Sequence, residues 1–162
     1  MTVAYVGLGS NLGDRRATLE GAVAELGRSP GVRVLRVSSF HDTDPVGGPP
    51  QPRYLNAVAE VETDFSHVAL FGLLQRTERL FGRVRGERWG PRTLDLDLLL
   101  YGRDKEHFLR IGGPGLEVPH PRMHERTFVL APLCELVPDG RHPVLGRTFS
   151  QLLADLTTGA VR

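Results

Sequence analysis

Two aspartates one residue apart, Asp95 and Asp97, follow shortly after four arginines, Arg83, Arg85, Arg88 and Arg92. They sit in the alternating run Thr93-Leu94-Asp95-Leu96-Asp97-Leu98-Leu99-Leu100-Tyr101. Strand side chains have a period of two. Leu94, Leu96, Leu98 and Leu100 therefore take one face, and Asp95, Asp97, Leu99 and Tyr101 the other. The two carboxylates then stand about 6–7 Å apart on one strand face. Like charges on one face repel, and Asp is a poor strand former, so something positive should neutralise them. Mg²⁺ takes one or two carboxylates together with phosphate oxygens, and guanidinium forks suit phosphate. A carboxylate pair beside an arginine-bearing, Gly/Pro-containing stretch points to Mg²⁺-dependent phosphate chemistry.

The size and composition of the chain narrow its class. At 162 residues, a single domain over 1–162 is expected, long enough for a real core. The net charge of +1 gives no bulk electrostatic case for nucleic acid or an acidic membrane. Charge is local instead: residues 76–92 hold six arginines against Glu78 and Glu87. Cys134 is the only cysteine, which excludes an internal disulfide and fits a reducing compartment. No apolar run approaches the roughly 20 residues of a membrane span, and Met1-Thr2-Val3-Ala4-Tyr5-Val6 enters a strand without a charged leader. A soluble, cytoplasmic, monomeric protein is the default expectation.

The elements that must position these residues follow in order. Residues 2–8 read as a strand, and Gly7-Leu8-Gly9-Ser10-Asn11-Leu12-Gly13-Asp14 as a turn into a helix. That turn lacks the Gly-Lys-Ser/Thr ending of a P-loop and the spacing of a dinucleotide fold. Leu19, Ala22, Val23 and Leu26 give helical spacing over 14–26, with Gly27 as its stop. A β-branched strand over 32–40 is followed by a Pro/Gly-rich loop over 41–53, long enough to be a functional lid. In the strand 54–62, Leu55, Ala57, Ala59 and Val61 face one way, Tyr54 and Asn56 the other. Ser66 caps a helix to about 81, with Leu70, Leu73, Leu74, Thr77 and Phe81 as its buried stripe. Glu78 and Arg79, taken alone, read as a solvated helix face.

This order is the split βαβ, or ferredoxin-like, βαββαβ arrangement of an α+β fold. It is an antiparallel sheet with both helices on one face and the other face open or covered by later elements. The four leucines should then meet the helices, leaving Asp95, Asp97, Tyr54 and Asn56 together on the opposite side. Beyond 101 the pattern weakens to a short strand near 108–111, an extended Glu117-Val118-Pro119-His120-Pro121, and short helices over 122–136 broken near Pro132. Thr148-x-x-Gln151 is a capping box for a last helix.

The block Arg88-Trp89-Gly90-Pro91-Arg92-Thr93-Leu94-Asp95-Leu96-Asp97 closely resembles the 6-hydroxymethyl-7,8-dihydropterin pyrophosphokinases of the folate pathway. Gly9-Ser10-Asn11-Leu12-Gly13, Tyr54-Leu55-Asn56-Ala57, Val118-Pro119-His120-Pro121-Arg122-Met123 and Arg126-Thr127-Phe128-Val129-Leu130 support it in the same order. The resemblance implies a ferredoxin-like fold and transfer of pyrophosphate from ATP to the pterin hydroxymethyl oxygen, releasing AMP. It implies two Mg²⁺ ions held by Asp95 and Asp97. Arg83, Arg85, Arg88 and Arg92 would contact the triphosphate, with Arg83 and Arg92 catalytic. His120 and Arg126 match positions near the β- and γ-phosphates, Gln75 and Glu78 match the nucleotide side, and the backbone around Leu98 would face adenine. Thr43, Pro45 and Val46 would meet the pterin edge and Asn56 would hydrogen-bond it. Tyr54 and Phe128 would hold the pterin ring, with Trp89 closing over the site. Asp97 is a candidate to accept the hydroxyl proton, and metal coordination alone could also lower that pKa enough.

The chain departs from the family pattern in places. The loop over 84–88 is one residue shorter, Asp44 stands where proline is common, and Gly112-Gly113-Pro114-Gly115 is an insertion. Arg110 is a candidate to replace a basic residue absent at Gly115. His41, His67, His107, His124 and His142 match no zinc spacing and read as surface or loop residues, and Cys134 as a small core residue. Two rival classes share the element order or the carboxylates. An RNA-binding RRM would need aromatics on the central strands, where Asp95 and Asp97 stand. A Mg²⁺ phosphohydrolase or nucleotidyltransferase would differ only in lacking the pterin pocket.

Overall fold

The computed structural model describes residues 1–45, 48–82, 93–113 and 115–158. Expectations placed on Val46, Arg83, Arg85, Arg88, Trp89 and Arg92 lie outside the described residues. The elements run β1 (Thr2–Ser10), α1 (Arg15–Arg28), β2 (Val32–Val37), β3 (His41–Thr43), β4 (Tyr54–Thr63), α2 (His67–Leu80), β5 (Asp95–Asp104), β6 (His107–Phe108), a 3₁₀ turn (Met123–Glu125), α3 (Thr127–Leu136) and α4 (Phe149–Thr157). The sheet order is β2-β4-β1-β5-β6, with β3 also paired to β4, and its pairings are antiparallel. This is the expected α+β, ferredoxin-like core.

The caps explain where the helices start. Asp14 accepts from the Ala17 amide, Ser66 from Ala69, and Thr148 and Gln151 form the predicted capping box. Gly27 does not stop α1, which runs one residue further to a Ser29 cap. Nor does Pro132 break α3, which is continuous from Thr127 to Leu136. The loop over 41–53 opens with β3, because His41, Asp42 and Thr43 pair with Asn56, Leu55 and Tyr54.

Both sheet faces are covered. On one, Ala4, Val6, Leu8, Ala57, Ala59, Val61, Leu94, Leu96 and Leu98 pack on Leu19, Ala22 and Leu26 of α1 and Leu70, Leu73 and Leu74 of α2. On the other, Tyr5, Val58, Leu99 and Leu100 pack on Leu130, Leu133, Phe149 and Leu152 of α3 and α4. The second layer is built from the last third of the chain. The expected alternation along β5 fails at its far end: Leu100 joins α3 and α4, and Tyr101 turns to the α1/α2 side, donating to the Phe65 carbonyl at 2.6 Å. The register explains this. Tyr5 pairs with Leu100 but Val6 with Leu98, so Leu99 is an extra residue that reverses the parity beyond it. The bulge lies past Asp97 and leaves the carboxylate pair on the predicted face.

Behind the site, Glu60 is buried and accepts from Arg36 Nε at 2.9 Å and from the Tyr5 hydroxyl. Burial alone would raise the Glu60 carboxyl, but Arg36 and Tyr5 donate to it and hold it below the usual range. Arg36 also donates to the Leu136 carbonyl at 2.6 Å, tying β2 to α3.

Candidate active site

The glycines at 7 and 9, read from sequence as part of a turn, lie inside β1. With Tyr5 they occupy the face opposite α1 and α2. Gly7 pairs with Val58 on one side and Asp97 on the other, and Gly9 with Asn56 and Asp95. Strands lie about 4.8 Å apart, so each aspartate faces its β4 counterpart across about 10 Å of sheet floored by a glycine. Missing side chains on the middle strand open a cavity of about 1030 Å³.

Eight predicted site residues line that cavity: Thr43, Tyr54, Asn56, Asp95, Asp97, His120, Arg126 and Phe128. Four described ones do not. Pro45 follows the lining residue Asp44 without itself lining the cavity, and Gln75 is exposed on α2. Leu98 packs with the α1/α2 core, so only its backbone is available to a ligand. Glu78 is 6% exposed and accepts from the Leu96 amide at 2.8 Å, which corrects its reading as part of a solvated face. Sequence reasoning missed His41, Arg122 and Glu125, which also line the cavity. The β3–β4 register would have placed His41, since it pairs with Asn56.

Asn56 is the most constrained polar group in the floor. It is 6% exposed, and its amide donates to Thr43 Oγ1 at 2.6 Å. A Cβ added at Gly9 would fall 2.8 Å from Asn56 Oδ1, so glycine at 9 is what admits this amide. The wall above it is tied down from two sides. Asn11, 1% exposed, donates to Gln51 Oε1 at 2.8 Å and to the Pro52 carbonyl at 3.0 Å. Arg15 forks onto both oxygens of Asp42, at 3.3 and 3.1 Å. On the far side His41 Nε2 meets Glu135 Oε2 at 2.5 Å, and the Ser39 amide donates to Glu135 Oε1 at 2.8 Å. The Gly9-to-Gly13 block thus serves the site as floor and clamp.

His120 reaches the cavity from the other side, after a cis Val118–Pro119 peptide, with its amide donating to the Leu99 carbonyl at 3.0 Å. Its Nδ1 accepts from the Arg122 amide at 3.2 Å, which places the ring proton on Nε2. Burial pushes the His120 imidazole down to about 4, with Arg126 and Arg122 adding to the effect against Glu117. Near pH 7 it is therefore a neutral Nε2–H donor. Burial also pushes His142, on the α3–α4 connection, down to about 4. A histidine depressed in the fold favours its neutral form there. Its stabilising contribution is full above 6.5 and is lost as pH falls toward 4, by up to about tenfold in the folding equilibrium per pH unit. His120→Asn and His142→Asn should each flatten the fall in urea midpoint between pH 6.5 and 4. An unchanged slope in both would remove this account.

Asp95 and Asp97 offer hard oxygen donors on one strand face at the cavity, a donor set that fits Mg²⁺. Among the described residues, no group of three or more metal-binding side chains occurs. The RRM reading fails: the sheet face that such a module leaves open for RNA carries α3 and α4 at one end and the acidic cavity at the other.

The antiparallel α+β sheet thus sets paired carboxylates and a fixed amide on opposite sides of a glycine floor in one cavity, which makes that cavity the candidate active site. The family model described as 7,8-dihydro-6-hydroxymethylpterin-pyrophosphokinase matches residues 5–138, and the chain belongs to that family of enzymes. It is 48% identical over 134 residues to the 2-amino-4-hydroxy-6-hydroxymethyldihydropteridine pyrophosphokinase of Bacillus subtilis, covering 83% of this chain and 77% of that one. To the enzyme of the same name from Pseudomonas aeruginosa it is 46% identical, over 93% and 89% of the two chains. Among solved structures, HPPK-DHPS of Plasmodium falciparum with pteroate superposes with a TM-score of 0.72 at 14% identity. That match covers 98% of this chain but only 43% of the longer one, and it speaks for the fold alone.

Proposed function

We propose that residues 1–162 act as one domain that transfers pyrophosphate from ATP to the hydroxymethyl group of 6-hydroxymethyl-7,8-dihydropterin, in folate biosynthesis. AMP and the pterin diphosphate are the products, and two Mg²⁺ ions are the cofactors. The observation that carries the reading is the line-up across β1, with Asn56 facing Asp95 over Gly9 and Val58 facing Asp97 over Gly7. One end of the cavity suits a flat, hydrogen-bonding heterocycle and the other a metal-bound phosphate.

On this reading Asn56 fixes the pterin edge beside Thr43, and Tyr54 and Phe128 hold the ring faces. Pro45 and Val46 complete the pterin side, under Trp89. The hydroxymethyl oxygen attacks the β-phosphorus and gives up its proton to Asp97 or to solvent; its bond to that phosphorus forms as the bond from phosphorus to the α,β-bridging oxygen breaks, and the electron pair leaves with AMP. Mg²⁺, when bound, supplies positive charge to the phosphoryl oxygens during transfer. Asp95 and Asp97 hold it. His120 donates its Nε2–H to a phosphate oxygen without adding charge, and Arg126 supplies charge beside it. Gln75 and the Leu98 backbone are assigned to the nucleotide. Arg83, Arg85, Arg88 and Arg92 are assigned to the triphosphate, with Arg83 and Arg92 in the transfer step. The partners are these two small molecules, with no nucleic acid or membrane, and the protein works as a cytoplasmic monomer. Among the described residues no helix is long and apolar enough to cross a membrane.

The test is direct. With ATP, Mg²⁺ and the hydroxymethyl-dihydropterin, AMP should appear in step with the pterin diphosphate, and neither without metal. AMP formed equally well without pterin would overturn the transferase in favour of a hydrolase.

A further inference from the structure

Glu78 is a buried carboxylate in the last turn of α2, outside the cavity lining, yet it touches the strand that carries Asp95 and Asp97. Its Oε2 accepts from the amide of Leu96, the residue between them, at 2.8 Å. β5 pairs with β1 on one side. On the other, β6 reaches only Gly102 and Asp104, so among the described residues no strand pairs with the outer edge of 95–98. An unpaired edge amide is normally satisfied by water or left to drift with a fraying strand end. Here a side chain from a helix fixes it. Leu94 and Leu96, both buried against the α1/α2 core, hold the same segment from the opposite face.

From this we infer that Glu78 is a positioning residue for the carboxylate pair: it sets the Leu96 backbone so that Asp95 and Asp97 keep one spacing and one direction. The need is physical. Two like charges on one face push apart, and a rotation at Leu96 moves them relative to each other. Mg²⁺ demands near-ideal octahedral geometry, so a carboxylate displaced by a fraction of an ångström loses affinity that a looser cation would retain. Glu78 thus acts on the metal through β5 and makes no contact with the nucleotide. This inference rests on Asp95 and Asp97 being the metal ligands.

Binding of α,β-methylene-ATP titrated with Mg²⁺, and binding of AMP in EDTA, test it without turnover. Glu78→Ala should raise the half-saturating Mg²⁺ concentration about tenfold and leave AMP affinity unchanged. Glu78→Gln, which keeps an acceptor oxygen at the same reach, should restore the wild-type Mg²⁺ response. Glu78→Asp, one methylene shorter, should behave like the alanine variant and serves in its place if that protein does not fold. Weaker AMP binding would make Glu78 a nucleotide contact and overturn the inference. A lowered melting temperature with wild-type Mg²⁺ half-saturation would reduce it to a structural group. Failure of the metal reading is seen separately: Asp97→Ala would then show the wild-type Mg²⁺ response.

Discussion

Asp97→Asn is expected to cut AMP release by roughly a thousandfold or more while leaving the melting temperature close to that of the parent. The two halves have different causes. A bound divalent ion contributes several kcal/mol to charge stabilisation in phosphoryl-group transfer, and each 1.36 kcal/mol is a factor of ten in rate. Asparagine keeps the shape of the side chain but offers a neutral, weaker oxygen. Stability should change little, because Asp97 faces a cavity rather than a core and asparagine has its size. Single-turnover AMP formation and a thermal melt on the same protein measure both. Turnover within tenfold of wild type would remove Asp97 from the metal site, and a large loss of stability would show that the carboxylate is structural.

Much of this was legible in the sequence because it rests on short-range rules. The period of two along β5 and β4 places Asp95, Asp97 and Asn56 on one face, and the caps at Ser66 and Thr148 mark two helix starts. What the sequence hid depends on partners far along the chain. The bulge at Leu99 appears only when β5 is laid against β1, so strict alternation puts Leu100 and Tyr101 on the wrong faces. β3 is three residues long and makes no pattern of its own; it exists because β4 extends beyond β2 and offers it an edge. Pro132 predicts a helix break, yet α3 continues through it, with Val129, Leu130, Leu133 and Leu136 in the core against the sheet.

The site shows the same division. Types and spacing indicated which residues could do chemistry. The part of Glu78 was hidden because its partner is a backbone amide of another element. The part of His41 was hidden because its partner, Glu135, lies on α3. Gly7 and Gly9 were hidden for a different reason. Glycines followed by Ser, Asn and Asp are a turn signal, and only the β1 pairing shows them to be the floor between β4 and β5.

That floor gives the sharpest contrast between two chemically identical changes. Gly9→Ala should weaken pterin binding by a hundredfold or so, on the order of the cost of displacing a buried amide from its ligand, while Gly7→Ala should change it by less than threefold. A Cβ at 9 would sit 2.8 Å from Asn56 Oδ1, closer than real Cβ contacts allow. The Asn56 amide cannot swing aside at no cost, because its Nδ2 is held by Thr43 Oγ1 at 2.6 Å and the side chain is 6% exposed. It must leave either Thr43 or the position from which it meets the pterin. A Cβ at 7 would meet Leu99 Cδ1 at 3.4 Å, the end of a flexible side chain that can give by a few tenths of an ångström. Neither change should unfold the protein, since both glycines sit in a strand interior where alanine is the better-ordered residue and neither has a positive φ. Titration with the hydroxymethyl-dihydropterin, alongside a thermal melt, separates the outcomes. Equal affinities for the two variants would take Asn56 out of the pterin site. A Gly9→Ala protein that binds pterin normally but loses Mg²⁺-nucleotide would place the pterin at the Asp95 end instead.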